Sequence, residues 1–375
     1  MVKERVRRRR GCRIMAILMA GFVFVCLLAS LISALSNLTL PSDPENTDRL
    51  SALDKARLAE ALHLKDELGD EVWPGWGTED IPVIIWNRDY SFLVGAENLP
   101  KGWELVAGDS YEGNPYYRQR SVDPQNFAVP VNGYWAASMA TKDETDKALR
   151  EIWQEVLPPP LEQIFPYRVL IQPSEVQITA VLHESFHVFQ MELAEARLAD
   201  AERAYRDEEA YWSADEEMDA GWSLEIDLLV RALEAESDEE AAELAGQFLQ
   251  QRDERRQSHR LEPELVALEQ RNEWLEGLAK YLELEAWRQA ATAAGYEPLG
   301  EMESDPDFKA YESFEQRWSQ EIGQMKRQAG AEGVTRFYYT GMAQATLLDR
   351  LYPGWKSQVM EEGIWLETML REVTG

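Results

Sequence analysis

The stretch Val181-Leu182-His183-Glu184-Ser185-Phe186-His187-Val188-Phe189 sits inside a helical pattern that runs from Ser174 to Arg206. Residues four apart on a helix share a face, so His183 and His187 can present two imidazoles to one metal ion. Glu184 is displaced around the helix and can act as general base toward a water held by such an ion. The flanking positions are uncharged and mostly apolar, as expected of a helix buried beneath a reactive centre. Only four histidines occur in the chain, His63, His183, His187 and His259. With histidine so scarce, a chance pair at this spacing is rare, and two incidental helical histidines explain the context less well.

Outward from this helix, the rest of the body reads as α+β and predominantly α-helical. Ser51 to Leu68 repeats Leu and Ala at helical spacing and ends at Gly69. Short β-type runs follow at Ile81–Trp86, Tyr90–Gly95, Tyr116–Ser121 and Phe127–Met139, punctuated by Gly, Pro and Asn. They predict a small, mostly antiparallel sheet. Lys142–Val156 reads as a helix stopped by Pro158-Pro159-Pro160. After Pro173 nearly everything is helical, with further helices over Arg271–Ala294, Asp307–Ala329 and Gly333–Leu351. The Ala/Glu/Arg-rich run from Glu192 to Glu269 reads as a solvated helical hairpin. No internal repeat is visible.

The N-terminus has a different character. Residues 1–13 hold seven Lys/Arg and one Glu, leaving 31 Lys/Arg against 67 Asp/Glu in the remainder of a chain whose net charge is -30. From Ile14 to Leu35 no charge occurs for 22 residues, enough for a helix to span a bilayer core of about 30 Å. The basic flank favours the cytoplasmic side. The expected organisation is therefore a basic cytoplasmic tail (1–13), a single-pass transmembrane anchor (14–35) and a linker (36–50). An N-terminal α+β subdomain (51–173) and an extracytoplasmic helical subdomain (174–375) follow, the latter with an insertion at about 191–262. The competing reading is a cleaved signal ending near Ala34-Leu35-Ser36 and a secreted body. Asn37-Leu38-Thr39 is a glycosylation sequon.

The acidic body repels phosphate backbones, which argues against nucleic-acid binding. It suits basic peptides or cationic ligands, and it also serves plain solubility. The two cysteines, Cys12 and Cys26, lie in or beside the apolar run. The body therefore has no disulfide framework and no cysteine ligand, and a transition-metal site there must use His, Asp and Glu.

Catalytic sites of this kind use three protein ligands and leave one position open. His63 and His259 lie in charged segments, so the third ligand is expected to be a carboxylate. Glu276, in Trp274-Leu275-Glu276-Gly277-Leu278-Ala279-Lys280-Tyr281-Leu282-Glu283, stands out among many. It opens a helix with an apolar packing side, and Gly277 permits close approach to a neighbour. Glu225, in Gly221-Trp222-Ser223-Leu224-Glu225, is the second candidate. Glu283, two turns from Glu276, is either a second-sphere partner or a solvated charge.

These motifs resemble the gluzincin group of zinc peptidases, in which H-E-x-x-H is paired with a downstream Glu on a second helix. Trp274 to Glu283 is similar to the W-L-N-E-G-F-A-x-Y-x-E stretch of the aminopeptidase N family, with one residue missing before the Glu. The resemblance implies Zn²⁺ held by His183, His187 and Glu276, with Glu184 as general base. Tyr338-Tyr339-Thr340-Gly341, 62 residues beyond Glu276, resembles the family's Y-x-x-G motif. That makes Tyr338 the expected oxyanion donor, with Tyr339 taking the role if the helix is rotated and a plain packing role as the alternative.

The chain also departs from the family pattern. Between His187 and Glu276 lie 88 residues, far more than the family's usual gap, so a helical insertion is required. The exopeptidase signature G-x-M-E-N is absent; Gly95-Ala96-Glu97-Asn98 lacks its Met, which leaves amino-terminal trimming unsupported. The resemblance covers the catalytic motifs and their order only. It implies a zinc metallopeptidase acting on a peptide or protein, which the N-terminal reading places at a membrane with its body extracytoplasmic. A non-catalytic scaffold domain that keeps a zinc site, or a zinc hydrolase of non-peptide substrates, are the rivals. Extended substrate is expected to add to the edge strand before the active-site helix, with Phe127–Met139 the candidate.

Overall fold

The computed structural model describes residues 28, 30–38, 40, 47–204, 216–331 and 333–375. Its chain contacts divide the molecule into two units, residues 46–140 with 173–375, and residues 1–45 with 141–172.

The larger unit opens with helix α1 (Ala52–Val72). Ser51 starts it as a capping box, its hydroxyl accepting from the Asp54 amide while the Asp54 carboxylate accepts from the Ser51 amide. The helix runs past Gly69, where the sequence pattern ends it. Gly69 is instead a packing contact: a Cβ there would stand 2.6 Å from the Gly77 Cα, so the glycine lets the following turn fold back on the helix.

Six strands form one sheet: β1 (Val83–Trp86), β2 (Tyr90–Val94), β3 (Glu104–Leu105), β4 (Tyr117–Arg120), β5 (Phe127–Val131) and β6 (Tyr134–Ala140). Their order is β3-β4-β2-β1-β6-β5. Every neighbouring pair is antiparallel except β1 with β6, which run parallel with Val83 opposite Ala137. The single strand expected over Phe127–Met139 is a hairpin. Asn132 and Gly133 both take positive φ (47° and 106°), which is the conformation a tight two-residue hairpin turn demands. β5 is an edge strand, and Pro130, which cannot donate to a ladder, sits on it.

The helices that follow are α3 (Ser174–Ala204), α4 (Glu216–Glu234), α5 (Asp238–Ser258), α6 (Pro263–Asn272), a π-turn (Glu273–Gly277), α7 (Leu278–Thr292), α8 (Phe314–Arg327), α9 (Thr335–Leu351) and α10 (Leu366–Thr374). Helix α2 (Lys142–Val156) belongs to the smaller unit. α3 is broken at Ala194, whose φ and ψ (−146°, 48°) are not helical. α1, the sheet and α3 to α10 contribute to one continuous apolar core, so residues 51–140 share their interior with 174–375 rather than forming a subdomain with 141–172, which belong to the smaller unit.

The insertion is not a solvated hairpin. α4 and α5 pack against each other and bury Glu225, Arg252 and Arg255. Arg252 and Arg255 meet Glu225, Glu269, Glu273 and Glu367 in one buried network. The Ala/Glu/Arg composition reads as solvent-facing because charge is usually exposed; here the charges satisfy one another instead.

Among the described residues no helix is long and apolar enough to cross a membrane. The expected anchor, 14–35, lies mostly outside the described residues, as does the basic tail 1–13 and most of the linker between residues 39 and 46.

Candidate metal centre

His183 and His187 project from one face of α3, as their spacing requires, and both are buried. The ring centroids lie 4.8 Å apart at 81°. Glu276 approaches from the π-turn. One of its carboxylate oxygens is 3.5 Å from His183 Nε2 and 3.4 Å from His187 Nε2. One ligand atom from each of the three residues lies within 4.8 Å of the others. These three residues form a buried group that could hold a metal ion.

The surrounding groups fix the imidazoles. His187 Nδ1 lies 2.8 Å from Gln190 Oε1, so it carries the proton toward the amide and leaves Nε2 as the free donor atom. Gln190 in turn donates to the carbonyls of Trp274 and Leu275 (2.9 and 3.3 Å), tying the histidine helix to the π-turn. His183 Nδ1 faces the Glu283 carboxylate at 3.7 Å. Glu283 is buried rather than solvated, held by Lys280 at 3.0 Å and Arg317 at 3.1 Å. Each histidine therefore has an outer partner, the arrangement that orients metal-binding imidazoles.

Glu276 is aimed by backbone geometry. Residues 273–277 form a π-turn where a plain helix is expected from the sequence. α9 crosses it at glycines: a Cβ on Gly277 would be 2.5 Å from the Gly341 Cα, and one on Gly341 would be 2.4 Å from the Glu273 carbonyl oxygen. Only hydrogen at both positions permits this contact. Thr340 reinforces it by donating to Glu273 at 2.6 Å. Tyr338, one turn before Gly341, is thereby brought to His183, with ring centroids 6.1 Å apart and planes at 15°. Tyr339 points elsewhere: the Glu321 carboxylate is its hydrogen-bond partner, and burial together with that charge raises its phenol well above the ordinary value.

Electrostatics follow from burial. Desolvation pushes the Glu184 carboxyl up to about 7, against the pull of the neighbouring His183 and His187 rings. One of its oxygens is buried with no hydrogen-bond partner. Burial also acts on Glu276, but attraction to His187 and His183 outweighs it and holds that carboxyl well below the usual range. For His183 burial disfavours the cation, yet the Glu276 and Glu283 hydrogen bonds prevail and raise it to about 10. Two imidazoles and a carboxylate, with a further carboxyl oxygen unpartnered beside them, are donors that a metal ion can take.

Glu225, the second candidate ligand, is not part of this group. It lies in the arginine network, accepting from Arg252 at 3.1 Å and closely from Arg255. His63 stacks on Tyr296 and His259 caps α5, so neither joins the centre. Phe127, on edge strand β5, packs 4.6 Å from the His187 ring. Gln190 escapes the sequence reading, although it lies three residues beyond His187 on the same helical face; Phe127 lies in the strand expected to meet substrate, but nothing in the sequence singles it out. Comparisons with protein-family models, with curated proteins and with solved structures give no match for this chain.

Proposed function

We propose that this chain is a zinc-dependent peptidase, held at a membrane by the N-terminal apolar run with its body extracytoplasmic. The observation that carries the reading is the convergence of His183, His187 and Glu276 beside a buried, incompletely bonded Glu184. The absence of cysteine from the body and the choice of two imidazoles with one carboxylate favour zinc. Bound there, the ion would supply Lewis acidity and lower the pKa of a water toward about 7.

The remaining work belongs to the protein. Glu184, buried beside the three ligands with one carboxyl oxygen unpartnered, takes a proton from the attacking water and returns it to the leaving amine. Tyr338, stacked beside His183, donates a hydrogen bond from its phenol to the carbonyl oxygen as negative charge develops there. Gln190 and Glu283 hold the imidazoles in one tautomer and orientation. β5, with Phe127 beside His187, offers an open strand edge along which an extended peptide can lie. The resemblance of the sequence motifs to gluzincins supports a peptide bond over other electrophiles.

The test is hydrolysis of a peptide library by the wild type, by the chelator-treated protein and by Glu184→Gln. The variant is expected to keep its metal and lose activity by about a hundredfold or more. Undiminished hydrolysis by Glu184→Gln would overturn the assignment.

A further inference from the structure

The smaller unit carries a surface that the proposed chemistry does not use. Among the described residues, ten of the fifteen exposed large hydrophobic side chains belong to it. Five lie at residues 28–38, at the end of the apolar run. The other five are Ile152, Trp153 and Val156 on α2, with Leu161 and Val169 just beyond. Ile152, Trp153 and Val156, with half-buried Leu149, are spaced as one stripe along a helix. The last turn and a half of α2 is exposed on every side. Such an apolar cluster on a unit with so small an interior needs an occupant.

The contacts within this unit point to that occupant. Trp153 stacks on Phe165, with ring centroids 5.4 Å apart and planes at 11°. The Phe165 carbonyl accepts from the Asn37 side-chain amide at 2.7 Å, and the Asn37 side-chain oxygen accepts from the Tyr167 amide at 3.1 Å. Asn37 lies two residues after Leu35, where the uncharged run ends. The stripe is thus fastened, through Phe165 and Asn37, to the place where the proposed anchor leaves the bilayer.

We infer that α2 and the segment following it form an interfacial collar, lying in the headgroup region of the membrane that the anchor crosses. The inference rests on the anchor reading above. α2 carries five carboxylates against three basic residues, so the collar fits a neutral, zwitterionic leaflet and draws its affinity from apolar burial and from Trp153 at the interface.

The test uses the full-length chain in vesicles of phosphatidylcholine, with an environment-sensitive fluorophore on single cysteines and a quencher attached to lipid headgroups or acyl chains. Val156→Cys in a Cys12→Ser, Cys26→Ser background reports the collar. Native Cys26 in a Cys12→Ser background reports the anchor. Val122→Cys, at an exposed site of the larger unit, is the reference. The expected result is quenching of Cys26 by acyl-chain quencher and quenching at 156 by headgroup quencher about threefold or more above that at 122. Quenching of Cys26 without quenching at 156 overturns the collar and leaves the anchor standing. No quenching at either overturns both. A blue-shifted label at 156 that lipid quenchers do not reach assigns the surface to a protein partner or a second copy, and also overturns the collar.

Discussion

The π-turn at 273–277 separates two buried charge clusters built on opposite principles. On one side Glu273 joins Glu225, Glu269 and Glu367 around Arg252, Arg255 and Arg256. All eight carboxylate oxygens of that network accept hydrogen bonds. On the other side, three residues further on, Glu276 meets His183 and His187, and the neighbouring Glu184 keeps a buried oxygen with no partner. A saturated network of ions rigidifies a core, because any exchange of partners strands a charge. An unsaturated one costs stability and persists where something else is to be bound. One turn of helix thus carries Glu273 of a saturated ion network and Glu276 of a group that could hold a metal ion.

That contrast can be broken from the structural side first. Arg252→Met leaves Glu225, Glu273 and Glu367 partly unpaired in the interior and is expected to destabilise the fold by about 3–5 kcal/mol in urea titrations. The folded fraction should still bind metal. A loss below 1 kcal/mol would place the network among contributions that do not matter.

Acidification reaches the same cluster by another route. Burial raises the Glu367 carboxyl, but Arg252 and Arg256 overcome this and hold it at about 2, against an ordinary 4.5. A depressed folded pKa stabilises above the unfolded value and is lost as pH falls through the folded one. Stability should therefore decline between pH 4.5 and 2, by about 3 kcal/mol at most from this group. Denaturant midpoints of the wild type and Glu367→Gln at pH 7 and pH 3 measure it. Equal acid sensitivity of the two proteins would contradict the assignment.

The link between the clusters is the glycine crossing. Gly341→Ala forces a methyl into the Glu273 carbonyl and should cost about 1–3 kcal/mol. Turnover by the folded fraction should fall about tenfold or more, because Glu276 and Tyr338 are displaced together. Intact turnover in a folded Gly341→Ala protein would separate the crossing from the site.

The residues that meet at the site were more legible in the sequence than the elements that support them. His183, Glu184 and His187 are readable because four-residue spacing maps directly onto one helical face. Glu276 and Tyr338 are readable through motif order, and the structure brings both to the histidines. Glu225 was a fair rival because any helix-borne carboxylate satisfies a spacing argument; only its burial against Arg252 and Arg255 removes it. The solvated reading of α4 and α5 fails for the same reason, since composition cannot say which charges face one another across helices. The π-turn left no trace in the pattern, because one extra residue in a turn alters hydrogen bonding and not periodicity over so short a span. The hairpin did leave one: Asn132-Gly133 inside Phe127–Met139 is a turn signal, and reading the run as a single strand passed over it.

The central claim is that Glu276, and not Glu225, completes a metal site with His183 and His187. Metal analysis of purified wild type, Glu276→Ala and Glu225→Ala tests it most directly. The account predicts about one zinc per chain in the wild type, a large loss in Glu276→Ala, and full occupancy in whatever Glu225→Ala protein folds. Full zinc in Glu276→Ala, or none in the wild type, would contradict it.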